Sequence, residues 1–161
     1  MAAASPGKGL PDDPDKIKAR IMRYCAYRER AHSEVRQKLY EYGLRSEAVE
    51  ELMAWLITEN FLNEERYAIT YAGSKFRQKQ WGRIKIQQQL QQKGVSDYCI
   101  NKALQEIDED EYLATINRLI EKKMAIKADN IYEKRHKIAR FLIGKGFEPE
   151  KVWQQIRTVL P

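Results

Sequence analysis

The chain has 161 residues, 43% of them apolar and 32% charged, with eight Gly, five Pro and two Cys. That composition supports one ordinary hydrophobic core and fits poorly with collagen-like, disulfide-scaffold or wholly disordered proteins. Twenty-nine Lys and Arg against 23 Asp and Glu leave a formal charge of +6, and no run approaches the roughly 20 apolar residues of a membrane span. The N-terminus also lacks a secretory signal pattern, so a cytoplasmic protein with no membrane partner is expected.

Residues 1–14 hold Pro6, Pro11, Pro14 and two Gly, and read as a disordered tail. A first helix follows, with Ile17, Ile21, Tyr24 and Cys25 on one face. The second takes Ser33 as its N-cap and carries Val35 and Leu39. It stops at Gly43, with apolar Leu44 immediately after. Ser46 is the next N-cap, opening a third helix whose stripe is Val49, Leu52, Met53, Leu56 and Ile57. Asn63 caps a fourth, with Glu64 and Glu65 in its first turn, where the helix dipole favours anions. Its core side runs through Tyr67, Ala68, Tyr71 and Ala72 towards Phe76.

The fifth helix carries Ile86 and Leu90 and stops at Gly94 before Val95; Ser96 caps the sixth, which contains Ile100. Acidic Asp108, Glu109, Asp110 and Glu111 open the seventh, ahead of Tyr112, Leu113, Ile116, Leu119, Ile120 and Met124. The eighth has Ile138 and Leu142, then Gly146 and Phe147. The ninth begins at Pro149, suited to a first turn, and carries Val152, Trp153, Ile156, Val159 and Leu160.

Three of these segments are copies of one pattern, since Gly43, Gly94 and Gly146 are 51 and 52 residues apart and each has leucine four positions before it and an apolar residue after. In a Schellman terminus the Gly adopts positive φ without a Cβ penalty, and the two flanking apolar side chains touch. Leu39, Gly43, Leu44, Leu90, Gly94, Val95, Leu142, Gly146 and Phe147 therefore define a repeat of about 50 residues. The expected fold is all-α: three tandem three-helix repeats, at 15–59, 60–107 and 108–161, stacked into an elongated, curved, solenoid-like monomer.

Catalytic chemistry finds no constellation. His32 and His136 lie about 100 residues apart in sequence, and His32, Ser33 and Glu34 are consecutive, so their side chains diverge. No Cys/His spacing suits zinc, no Gly-rich loop matches a phosphate cradle, and the acidic run at 108–111 lacks the alternation of a calcium loop. The expectation is a non-enzyme without metal or cofactor, whose two cysteines are small buried groups in a reducing compartment.

Charge distribution is more telling than its sum. From Arg66 to Ser96 there are seven bases, Arg66, Lys75, Arg77, Lys79, Arg83, Lys85 and Lys93, and no acid. Such a tract attracts phosphate or an acidic protein face, or it is a solvated surface. Lys75, Arg77, Lys79, Arg83, Lys85 and Lys93 are the candidate contacts, Lys75 and Lys79 sharing a helix face. Trp81 is either packed beneath the inter-helix turn or available to stack on a base.

The strings FLNEERYA (61–68), RQKQWGRIKIQQQLQQKGV (77–95), RERAHSEVRQKLYEYGL (28–44) and KIARFLIGKGF (137–147) resemble the regulatory protein RecX family from about residue 16 to the end. The most specific elements are Phe61, Glu64, Glu65, Tyr67 and Ala68, then Gly82, Arg83 and Ile84, then Lys93, Gly94 and Val95. The resemblance implies tandem three-helix repeats and a modulator of the RecA recombinase. Such a protein would lie in the groove of the RecA filament on single-stranded DNA and inhibit strand exchange and ATP hydrolysis, in DNA repair, recombination and the SOS response. Asn63 with Glu64 stands where the family commonly has an aspartate pair, and Ala31 where it frequently has Ser. The alternatives are a helical module binding DNA or RNA directly with no RecA target, and an adaptor for an unrelated acidic partner.

Overall fold

The structure is a computed structural model and describes residues 13–161. Nine helices and no strand occur among the described residues. They are α1 (Pro14–Tyr27), α2 (His32–Glu41), α3 (Ser46–Thr58), α4 (Glu64–Lys79), α5 (Arg83–Gln92), α6 (Asp97–Gln105), α7 (Glu109–Lys122), α8 (Ile131–Gly144) and α9 (Pro149–Val159). Most of the expected tail lies outside the described residues, but its last two do not belong to a tail: Asp13 accepts a hydrogen bond from Asp15 N–H and caps α1, and Pro14 is the first helical residue. None of these helices is long and apolar enough to cross a membrane.

The middle helix of each repeat ends as its glycine requires. Gly43, Gly94 and Gly146 have φ of 91°, 78° and 96°. Leu44, Val95 and Phe147 N–H donate to the carbonyls of Leu39, Leu90 and Leu142 at 3.3, 3.1 and 3.3 Å, while the glycine N–H groups donate to Tyr40, Gln91 and Ile143. Both bonds of the Schellman motif are present three times. Leu39, Leu90 and Leu142 are fully buried.

Two N-caps differ from the sequence expectation. Arg45, not Ser46, precedes α3. Ser33 lies inside the first turn of α2, and its hydroxyl donates to the Lys93 carbonyl at 2.9 Å, tying the first repeat to the second. Asn63, Ser96 and Asp108 cap as their residue types predict, each accepting an N–H from three residues ahead.

The repeats join consecutively but unequally. The first has its own core, built on Ile17, Ile21, Val35, Leu39, Val49, Met53 and Leu56, to which Leu62 at the start of the second repeat adds. The second and third share one, from Tyr67 to Ile156. Ala31 is the one buried residue of the first repeat that reaches into this second core.

The residue preceding each middle helix explains how stacking is achieved. It is Ala31 in the first repeat, Gly82 in the second and Asn130 in the third. Asn130 caps its helix with its own side chain, accepting from Glu133 N–H. Ala31 and Gly82 carry no side-chain acceptor and cannot cap, and both are buried where the next repeat lies against them. That neighbour takes over: Gly82 N–H donates to Lys145 O at 2.8 Å and Ile84 N–H to Gly146 O at 3.0 Å. The positive end of α5 thereby meets the negative end of α8.

Candidate functional site

The acid-free tract folds into α4, the turn at 80–82 and α5, and the fold sorts its side chains onto different faces. Gln80 adopts the left-handed conformation (φ 55°) and ends α4; Trp81 N–H then donates to the Lys75 carbonyl at 3.2 Å, folding the indole back along the helix end. Lys75 Nζ lies 5.2 Å from the Trp81 ring centre and 5.4 Å from that of Tyr71. Lys85 Nζ is 4.6 Å from Trp81, and Lys93 Nζ is 5.7 Å from Tyr71. The sequence in space is Lys93, Tyr71, Lys75, Trp81, Lys85: three ammonium groups alternating with two rings.

Each cation–ring contact of this kind is worth about 0.5–1 kcal/mol at an exposed site. It also holds a long side chain in place without neutralising it. Among the described residues none of Lys75, Lys85 or Lys93 has a carboxylate partner within ion-pair distance. Glu29 and Glu34 line the same cleft as Lys75 and Lys93 but are paired with Arg66 and with Arg28, so the ribbon presents ammonium groups without direct ion pairs beside aromatic surface. Trp81 packs against the core shared by the second and third repeats and stays partly exposed.

Arg83, expected to contact a partner, lies away from this surface and is engaged within the fold. Its side chain is 17% exposed and turns inward to the carbonyls of Leu104 (3.4 Å) and Ile107 (3.1 Å) and to the carboxylates of Glu109 (3.0 Å) and Glu148 (3.7 Å). Its guanidinium covers the Tyr112 ring at 4.0 Å. Its backbone N–H donates to the Tyr112 hydroxyl at 3.0 Å, and that hydroxyl donates to Glu148. Lys151 pairs with Glu109 from α9. The Lys151 hydrogen bond, and then Arg83, hold the Glu109 carboxyl below the usual range, while burial and Glu148 push the Tyr112 hydroxyl up. This network locks the second repeat to the third.

Arg77 also departs from the ribbon. Two positions along α4 from Lys75, it lies over Gly73 and lines clefts with Glu106, Asp108 and Glu111 on another side of the molecule. Lys79 is exposed at the end of α4, where its carbonyl accepts a hydrogen bond from Lys145 Nζ at 3.1 Å. Tyr71, assigned by sequence only to a core stripe, is a ring of the ribbon; its spacing of four from Lys75 on one helix was the available signal. Among the described residues no group of three or more His, Cys, Asp or Glu is placed to hold a metal ion.

Comparison with known proteins agrees with this architecture. The family models for the first, second and third three-helix domains of RecX match residues 18–56, 63–104 and 109–156. The chain belongs to the RecX family. Regulatory protein RecX of Prosthecochloris aestuarii is 31% identical over 92% of this chain and 97% of its own length. RecX of Escherichia coli strain SE11 is 28% identical over 83% of this chain and 85% of its own. RecX of Clostridium perfringens strain 13 is 32% identical over 85% of this chain, which spans 65% of that longer protein.

The crystal structure of RecX from Lactobacillus salivarius has the same fold, with a TM-score of 0.81 at 23% identity over 90% of this chain and 95% of that one. The two departures from the RecX pattern have local accounts. Asn63 Oδ1 accepts from Arg66 N–H at 2.9 Å, as an aspartate would, and Ala31 is fully buried against the second repeat.

Proposed function

We propose that this regulator binds the RecA filament on single-stranded DNA and inhibits RecA ATPase and strand exchange, as part of DNA repair and recombination. The observation that carries the reading is the ribbon Lys93–Tyr71–Lys75–Trp81–Lys85, an unneutralised basic surface interleaved with rings in a protein of the RecX family. A filament groove offers acidic protein surface and phosphate together, and three repeats in tandem suit contact with a partner that itself repeats.

Inhibition by this route needs no reacting group. A protein bridging successive protomers shifts the filament only by its differential affinity for two filament states, so tighter binding to one state is required. The test is RecA's DNA-dependent ATPase measured with increasing protein. A falling rate supports the reading; an unchanged rate at saturating occupancy overturns it.

The alternating rings also suit direct contact with a strand, since every base has a face that can stack. Binding to naked single strands and to RecA-coated strands, compared in one buffer, separates a direct nucleic-acid binder from a filament binder. Preference for coated strands is the expected result.

A further inference from the structure

Beyond the ribbon, the joint between the second and third repeats gathers lysines from three helix ends. Lys123 closes α7 and its Nζ lies 4.2 Å from the Phe141 ring centre; Lys122 precedes it. Lys145 closes α8, with its Nζ 5.7 Å from the same ring and 3.1 Å from the carbonyl of Lys79 at the end of α4. Lys85 stands beside Lys145, because its Cβ rests against Gly146 where a side chain would otherwise be.

Among the described residues none of Lys85, Lys122, Lys123 or Lys145 forms an ion pair. Lysines at helix C-termini ordinarily offset the helix dipole, but each terminus supplies only about half a negative charge. The ends of α4, α7 and α8 leave this cluster strongly positive. Burial, and then the charges of Lys85, Lys123 and Lys122, hold Lys145 below the ordinary lysine range. The ring and the carbonyl fix Lys145 and Lys123 in a configuration that their mutual repulsion opposes. An anion relieves that repulsion.

We propose that Lys85, Lys122, Lys123 and Lys145 form a binding site for consecutive phosphate groups. The arrangement suits a chain of phosphates better than a single one, because the ammonium groups come from three separate elements and are spread across the joint. Among the described residues no carboxylate lies within ion-pair distance of the four lysines, which favours anionic ligands. Two sources share this chemistry, the backbone of a nucleic-acid strand and a free condensed phosphate. The site extends past the ribbon and does not depend on the recombinase reading, because its occupancy is measured without recombinase.

The test is calorimetric titration of the full chain at near-physiological salt with two probes, sodium tripolyphosphate and an abasic oligodeoxynucleotide, which has phosphates but no bases to stack. Saturable binding of at least one probe is expected, and the tighter probe identifies the source. Lys145→Ala and the double variant Lys122→Ala/Lys123→Ala should each weaken that binding by about tenfold or more. Lys145→Arg should retain it, and Lys102→Ala, next to Tyr98 on α6, should leave it unchanged. No binding of either probe overturns the proposal, as does equal loss on replacing Lys102. Failure here leaves the ATPase test of filament inhibition standing.

Discussion

Gly82 and Gly146 are in backbone contact across the boundary of the second and third repeats. A Cβ built on Gly82 would lie 2.2 Å from the carbonyl carbon of Gly146, and one on Gly146 would lie 2.3 Å from Lys85 Cβ. Neither obstacle is the end of a flexible side chain, so any side chain at Gly82 must push two helices apart.

Gly82→Ala should therefore cost about 3 kcal/mol or more of stability, at or beyond the upper end for overpacking. Gly94→Ala differs in kind: its φ of 78° strains an L residue, but nothing lies within 4 Å of the added carbon. Its cost should be about 1–2 kcal/mol from backbone strain alone. Urea unfolding of the two variants checks the order; equal losses would contradict the close joint.

Arg83→Met should destabilise the chain, because the Leu104 and Ile107 carbonyls lose their donor while Glu109 and Glu148 lose an ion-pair partner. Loss of hydrogen bonds to a charged group in a mostly buried setting costs about 2–3 kcal/mol. Denaturant unfolding reads this directly. A variant of unchanged stability that bound the filament poorly would return Arg83 to the contact surface.

Two groups make stability depend on pH in separate windows. His32 Nε2 is buried without a hydrogen-bond partner, and burial holds its pKa below the ordinary value, with Glu64 opposing and Arg36 adding to the effect. The unfolded chain then binds a proton more readily than the native one. Stability from this term is present above about pH 6.5 and lost as pH falls. Glu109, held low chiefly by Lys151, follows the same sign below about pH 4.3, the unfolded carboxylate value. Thermal unfolding from pH 8 to 3 should show both declines, and Glu109→Gln should lessen only the acidic one, to which Glu133 and Glu50, also held low, contribute. A decline between pH 7 and 5.5 that persists in His32→Asn would contradict the first assignment.

The helices and their glycine stops were legible because they rest on local physics. Leu39–Gly43–Leu44 and its two copies specify a terminus within six residues, and no distant contact is needed to read it. The inter-repeat joints were not legible, since they depend on which residues are absent. Gly82 read as part of a family motif, and nothing local announced that the carbonyl of Gly146 would replace its missing cap. The ion pairs of Arg83 were hidden for the same reason: in an acid-free tract it looks free, while its acidic partners Glu109 and Glu148 lie in the next repeat. Lys122, Lys123 and Lys145 were hidden by averaging, because the third repeat has nearly as many acids as bases and only folding separates the two.

Trp81→Ala and Trp81→Phe should separate the two roles of the indole. Both remove the ring that Lys75 and Lys85 share, or shrink it, but phenylalanine keeps most of the apolar contact. Truncation to alanine should cost about 3 kcal/mol of stability, as for a large aromatic that is partly buried. The phenylalanine variant should stay close to wild type in stability and lose several-fold in filament affinity, read by co-sedimentation. Full affinity in the phenylalanine variant would assign the ring to packing alone.

The most direct measurement is co-sedimentation of the chain with RecA-coated single strands, wild type against Lys75→Glu/Lys85→Glu/Lys93→Glu, with circular dichroism to confirm that helicity is unchanged. Arg83 is left intact because its reversal would break the joint. Affinity for the coated strand should fall by about a hundredfold, as expected when three attractive charges are reversed at one surface. A triple variant that is fully folded and binds the filament as tightly as wild type would show that the ribbon is not where this protein meets RecA.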